Sequence, residues 1–281
     1  MEGNKKKGYL LVFSTAIISG FSIFINKFGV SLNNPYLFTW LKNSIVALFI
    51  WGIVLFFSQR KNLNQLRKKE WFLLILVGIL GGGVPFLLFF KGLSLISSSW
   101  ASFWHKTIFL YVALLAFFFL KEKISQNYLV GSGILLLTNF LLLKDFFKNN
   151  FGTLEGHYLV ILATIFWAIE NIISKHLLKN LSGPIVAWGR MFFGSLFIFL
   201  FLLLTNQLAE IKTLNLEQIE WVLITSAFLL GYVLTWYSGL KFIPASEASV
   251  ILLFGSFITS FLDFIFLKNI KIETLLFSFL I

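Results

Sequence analysis

The chain has 281 residues, 58% of them hydrophobic and 12% charged, and its 36 Phe outnumber its Lys, Arg, Asp and Glu together. A soluble domain of this size carries about 25% charged residues to wet its surface, so the composition excludes a cytosolic enzyme, a secreted disulfide scaffold and a disordered tail, and indicates an integral membrane protein. With no Cys and three His lacking ligand spacing, neither a metal nor another cofactor is expected, and the net charge of +11 lies in short loops and helix ends, where it reports topology and not nucleic-acid binding.

The first apolar run, 9–28, follows Lys5, Lys6 and Lys7. It is too long for a signal-peptide core and no small-x-small cleavage site follows, so it reads as an uncleaved helix. Thr15, Ser19, Ser22 and Asn26, spaced four, three and four apart, form one polar stripe along it. The second span, 35–57, opens on Pro35 and carries Lys42 about 10 Å in, shallow enough to snorkel to the interface. In the third, 71–90, Gly81, Gly82 and Gly83 precede Pro85. Pro85 cannot donate to the Gly81 carbonyl, so the helix is interrupted, and the segment serves as a hinge, a substrate-binding backbone or a close-packing surface. In the fourth, 98–120, Ser98, Ser99, Ser102, His105 and Lys106 share an arc of about 120° opposite Trp100 and Trp104, the expected wall of a cavity. The fifth span is 127–143.

The sixth span, 157–178, carries Trp167, Glu170 and Asn171, and the seventh, 184–205, opens on Pro184 and carries Arg190 at a depth like that of Lys42. An ionisable side chain at mid-bilayer costs roughly 2.5–3.5 kcal/mol. Glu170, thirteen residues into its span, and Lys106, eight into its own, lie too deep to snorkel easily, and they read either as cavity residues or as an interhelical ion pair. In the eighth span, 218–238, Tyr232 and Trp236 stand one turn apart, as an aromatic wall or as packing. The ninth, 245–267, has Glu247 in its first turn, where a carboxylate caps the positive dipole end, and Asp263 near its far end, read as interfacial. A tenth run, 270–281, has 12 residues, about 18 Å of helix against a core of about 30 Å, so this last helix is expected to be truncated. The runs are too long and uniformly apolar for a β-barrel.

The spans repeat. A shift of 148 places Lys27 on Lys175, Trp40 on Trp188 and Lys42 on Arg190, and maps Ser19, Ser22 and Asn26 onto Trp167, Glu170 and Ser174. A shift of 147 places Gly92, Ile96, Ser99 and Ala101 on Gly239, Ile243, Ser246 and Ala248. Residues 1–150 and 151–281 are therefore read as two five-helix repeats, and an odd helix number inverts the second relative to the first, as in secondary transporters. Lys5 to Lys7, the basic residues between Arg60 and Lys69, and Lys121 with Lys123 fall on one side, which is then cytoplasmic and holds the N-terminus.

The order Lys27, Pro35, Lys42 and then Lys175, Pro184, Arg190, with the turn Lys121-Glu122-Lys123-Ile124-Ser125 leading to Gly131, resembles ten-helix EamA-type members of the drug/metabolite transporter superfamily. The usual Pro of helices 4 and 9 is missing, with Phe109 and Ser256 near those places, and Asn269 replaces the Glu of the second-half turn. The resemblance implies an exporter of small metabolites or drugs in the inner membrane. Together with the residues it makes Glu170, Lys106, Arg190, Lys42, Asn26, Ser22, Asn171, His105, Trp167, Tyr232 and Trp236 the candidates for substrate binding or proton coupling, with Glu170 and Lys106 facing one cavity. The cations suit a carboxylate such as that of an amino acid. A passive channel shares the helices without alternating access, and an intramembrane enzyme needs a nucleophile or carboxylate cluster that the spacing does not offer. Because the chain has no Cys, the topology is directly testable: an impermeant thiol reagent should label Asn150→Cys in intact cells and leave Asn64→Cys protected, and the opposite pattern inverts the orientation.

Overall fold

The computed structural model describes residues 2–32, 34–56, 66–124, 126–142 and 152–267. Among these residues all regular structure is helical, in a short 3-10 helix, Leu208–Thr213, and nine long helices: α1 (Glu2–Ser31), α2 (Pro35–Phe56), α3 (Lys68–Leu95), α4 (Ser98–Leu120), α5 (Gln126–Leu142), α6 (Leu154–Leu177), α7 (Gly183–Leu204), α8 (Leu216–Leu240) and α9 (Ala245–Leu267). Eight of them, all but α5, are long and apolar enough to cross a membrane. The expected tenth span, Asn64 and Asn150 lie outside the described residues. Helix α1 starts at Glu2, well before its apolar run, because Lys is a good helix former and extends the helix beyond the apolar segment.

Helix α3 is not broken at its glycines. It runs through a π-helical turn at Gly78–Gly83, and Pro85 falls in the first turn of the following α-segment, Val84–Leu95, where its missing N–H is not needed. The glycines are required by a neighbour. A Cβ on Gly82 would lie 2.0 Å from the Arg190 carbonyl oxygen, and one on Gly194 of α7 would lie 2.4 Å from the Gly82 carbonyl carbon. In lipid the surroundings are as apolar as the side chains, so helices associate through this close backbone approach and through polar bonds.

Two sets of contacts recur at the spacing of the sequence repeat. Gly8 of α1 crosses Gly239 of α8, and Gly156 of α6 crosses Gly92 of α3, each so closely that an added Cβ would meet the opposite carbonyl at 3.2 Å or less. Lys27 Nζ donates to the carbonyls of Leu93 (2.8 Å), in the last turn of α3, and Ile96 (2.7 Å), just past its end. Lys175 Nζ donates in the same way to Leu240 (2.7 Å), the last residue of α8, and Ile243 (2.6 Å), past its end.

The N-termini of α4 and α9 are each held by a carboxylate. Asp263 accepts from Ser98 Oγ (2.6 Å), the Ser99 amide (3.0 Å) and Ser99 Oγ. Glu122 accepts from the Ala245 amide (2.8 Å), the Ser246 amide (3.0 Å) and Ser246 Oγ (2.6 Å). First-turn amides have no partner within their own helix and cannot be left bare in hydrocarbon. Asp263, near the end of α9, is fully buried where it holds the start of α4, and one expectation is corrected: Glu247 does not cap its own helix but accepts a hydrogen bond from the Tyr9 hydroxyl.

The close crossing sets a sharp test of packing. Gly82→Ala should abolish the monodisperse folded species in detergent, because a backbone oxygen cannot yield, whereas Gly52→Ala, with nothing within 4 Å of its added Cβ, should behave as the parent in size-exclusion chromatography.

Candidate functional site

A cavity with an empty volume of about 480 Å³, its mouth included, is enclosed by seven helices. Its wall is Ser19, Ser22, Ile23 and Asn26 of α1, Lys42 of α2, Phe86, Phe89 and Phe90 of α3, His105 of α4, Trp167 of α6, Arg190 of α7, and Leu229 and Tyr232 of α8.

Both shallow cations turn inward instead of snorkelling. Lys42 is 1% exposed. Its Nζ donates to Asn26 Oδ1 and lies 4.2 Å from the Phe90 ring centroid and 4.9 Å from that of Phe38. Arg190 is 3% exposed. Its Nε donates to the Gly81 carbonyl (3.1 Å), its Nη1 donates to the Tyr237 hydroxyl (3.1 Å), and its Cζ lies 5.4 Å from the Phe86 centroid and 5.9 Å from that of Tyr237. Aromatic faces and backbone carbonyls stabilise these charges, so neither head needs to reach the interface.

The π turn of α3 positions this wall. The Gly81 carbonyl accepts from both Arg190 and Trp167 Nε1 (2.7 Å), and the Gly82 carbonyl accepts from Asn43 Nδ2 (2.8 Å). The released backbone acceptors therefore orient protein side chains and are not left open to a ligand. The Trp167 ring in turn packs edge-on against Phe86 and His105, with centroids 5.5 and 4.9 Å apart.

Glu170 stands one layer behind the wall, fully buried. It accepts from Tyr237 Oη (2.7 Å) and Ser174 Oγ, and its Oε2 is 3.9 Å from Arg190 Nη1. Lys106 also stands behind the wall, its Nζ donating to Ser19 Oγ at 2.6 Å. The two do not meet across one cavity as expected; Arg190 takes the place facing Glu170, and Ser19 screens Lys106. The expected serine arc of α4 also serves packing more than a cavity, since Ser98 and Ser99 hold Asp263 and only His105 of that arc reaches the wall. Asn171 and Trp236 bond each other (3.2 Å) away from the cavity, with Tyr232 stacked on Trp236 at an interplanar angle of 15° and facing in.

The site is built twice. Asn26 Nδ2 donates to Ser22 Oγ (2.9 Å) and Asn26 accepts from Lys42; Ser174 donates to Glu170, which faces Arg190. Offsets of 147 and 148 pair Lys42 with Arg190, Ser22 with Glu170, Asn26 with Ser174 and Phe90 with Tyr237. Phe86, Phe89, Phe90 and Tyr237 were not among the expected site residues. The phenylalanines share one helix face, a signal lost among 36 Phe, and the repeat offset that leads from Phe90 to Tyr237 was available.

The buried pair has a thermodynamic signature. Glu170→Leu leaves the Arg190 guanidinium without its carboxylate and should cost about 3–5 kcal/mol, while Glu170→Leu combined with Arg190→Met should recover most of that loss. Chemical unfolding in detergent micelles measures both, and additive losses would show that the two groups are not coupled.

The chain matches the EamA-like transporter family over residues 6–144 and again over 154–281. It is 25% identical to the riboflavin transporter ImpX of Fusobacterium nucleatum over 263 residues, covering 88% of this chain and 85% of that one. It is also 25% identical over 283 residues to the uncharacterized transporter YoaV of Bacillus subtilis, covering 98% and 94%, and 23% identical over 285 residues to an uncharacterized transporter of Methanothermobacter thermautotrophicus, covering 93% and 80%. One crystal structure superposes with a TM-score of 0.73 over 98% of this chain and 93% of the other, at 14% identity, a likeness of fold alone. With the family match spanning nearly the whole chain and eight helices able to cross a bilayer, the protein is a multi-pass membrane transporter of the EamA-like transporter family.

Proposed function

We propose that the protein is a secondary active exporter of small metabolites, such as amino acids, or of drugs. It works in the plasma membrane with its N-terminus in the cytoplasm, by alternating access around the cavity, with residues 1–150 and 151–281 as inverted halves. The observation that carries this reading is the recurrence of the helix-end contacts. Gly8 and Lys27 lie about 28 Å apart along α1. At its Gly8 end α1 packs on the end of α8, and at its Lys27 end it holds the end of α3; α6 does the reverse, with Gly156 against α3 and Lys175 holding α8. Thus α1 and α6 run oppositely between the same two ends. Two ends closed by equivalent contacts open at similar free-energy cost, which keeps both access states populated.

The site supplies a means of coupling. A solute that takes the Arg190 guanidinium competes with Glu170, whose carboxyl is then free to bind a proton, so solute and proton cross together and export runs down the solute's own gradient, carrying the proton out with it. Export follows the family resemblance, and the aromatic wall suits a flat ring system such as that of the solute for which the Fusobacterium relative is named.

Proteoliposomes should show saturable, pH-gradient-driven flux that Glu170→Gln uncouples without loss of membrane insertion; non-saturating flux would indicate a channel. In addition, Lys27→Met and Lys175→Met each weaken the contacts at one end. They should shift labelling of a cavity cysteine, Ser22→Cys, by an impermeant reagent several-fold in opposite directions, and shifts of the same sign would refute the two-ended mechanism.

A further inference from the structure

We propose that the solute is an aromatic anion, its ring lying among Phe86, Phe89, Phe90 and Trp167 and its carboxylate or equivalent oxyanion taken by Lys42 and Arg190. This rests on the carrier reading above and narrows its solute.

The charge balance of the site is the first ground. Lys42, Arg190 and Lys106 are buried on or directly behind the wall, at 1, 3 and 1% exposure, against one carboxylate, Glu170. Asp263, also buried, is committed to the first turn of α4. Among the described residues no carboxylate lies within 4.0 Å of Lys42 or Lys106, and each ammonium, with three donors, makes one hydrogen bond, to Asn26 and to Ser19 respectively. A buried charge without a counter-ion is strongly unfavourable, and the cavity is where the missing negative charge fits.

The duplicated construction says why the deficit exists. Arg190 has Glu170 behind it, but the repeat partner of Glu170 is Ser22, whose hydroxyl is bonded by Asn26, so Lys42 meets only the Asn26 amide oxygen where Arg190 meets a carboxylate. One cation is neutralised by the protein and its twin is left for the solute. A zwitterion is poorly served, because among the described residues no carboxylate reaches the wall to receive an ammonium, and this sets aside the zwitterionic amino acids among the solutes considered above. His105, buried on the wall, also has a ring nitrogen, Nδ1, with no hydrogen-bond partner.

The aromatic requirement comes from the rings beneath the cations. Lys42 lies over Phe90 and Arg190 over Phe86, and these two rings are 5.8 Å apart. Trp167 extends the patch, 5.5 Å from Phe86 and 5.3 Å from Phe89. A planar ring finds edge and face partners there, beside both positive heads.

One indole in three charge states tests this on the purified full chain. By isothermal titration, indole-3-acetate should bind at least tenfold more tightly than indole-3-acetamide, tryptamine more weakly still, and phenylacetate several-fold more tightly than cyclohexylacetate. Lys42→Met should bring the acetate-to-acetamide ratio toward one, and Lys42→Arg should retain it. Ser22→Glu, which supplies the carboxylate that Arg190 already has, should weaken indole-3-acetate at least tenfold. Equal or better binding of the amide or the amine, or no binding by any member of the series, overturns the assignment on the parent protein alone, even if a variant fails to fold. Flux separates the two readings: anion-selective binding without gradient-driven transport removes the carrier and leaves the site, whereas coupled transport that prefers the amide removes the site and leaves the carrier.

Discussion

A helix surrounded by hydrocarbon has no spare backbone acceptors, since each carbonyl is held by the amide four residues on. The π turn at Gly78–Gly83, followed by Pro85 with no N–H for the Gly81 carbonyl, changes that for α3, and the site depends on it. Its wider winding turns the Gly81 and Gly82 carbonyls toward α2, α6 and α7, where Asn43, Trp167 and Arg190 donate to them. The same turn brings Gly82 against Gly194 with no room for a methyl group. Fixing one backbone segment therefore fixes the guanidinium, the indole and the separation of α3 from α7 together. A chain with an ordinary α-turn here and an N–H donor at position 85 would occupy the Gly81 carbonyl and leave the buried Arg190 and Trp167 N–H groups without it in an apolar surrounding, which is costly.

Elsewhere the structure solves a related problem, the bare helix end. Chain reversals inside a bundle leave amides and carbonyls unpaired, and here they are met by ions. Asp263 and Glu122 take the first-turn amides of α4 and α9, while Lys27 and Lys175 take the last carbonyls beyond α3 and α8. Each ion meets the dipole end that favours its sign. None of these four charges lines the cavity.

This is also why sequence reasoning reached the fold further than the site. Span positions follow from the length of apolar runs, and the boundaries of α2, α4, α7 and α9 agree closely with them. Asn26, Ser22, His105 and Tyr232 were legible as wall candidates because polar or aromatic residues at helical spacing mark one face, whereas Lys42, Arg190 and Trp167 came from the repeat and the family resemblance, their depth alone having suggested snorkelling for the two cations. Depth alone failed for Lys106 and Glu170: it says that a charge is buried, not whether it faces a cavity or the next helix. The partner of Asp263 was not legible, since nearness to a helix end does not disclose that a neighbouring N-terminus, 165 residues from it in sequence, lies there. Phe90 and Tyr237 could be found only by applying the repeat offset to aromatic positions, where composition hides the signal.

The placement of Glu170 behind Arg190, and not beside it on the wall, bears on the proposed carrier cycle. A carboxylate on the wall would compete with an anionic solute by repulsion and remain hydrated whenever the cavity opened. Held by Tyr237 and Ser174 at the rear of the guanidinium, it is screened from the solute by Arg190 and from water by the wall. Arg190 then faces two acceptors in turn, one permanent and one transported, and the free energy of seating the solute depends on how far the permanent one must yield. The Lys42 half lacks that competitor, because Ser22 and Asn26 are neutral. In the proposed cycle two cations related by the repeat thus differ in role because Ser22 stands where the other half has Glu170: Lys42 would bind without exchange, and Arg190 would link binding to the charge state of Glu170. That asymmetry between otherwise matched halves is what an alternating carrier needs to couple solute to a proton without losing the near-equality of its two ends.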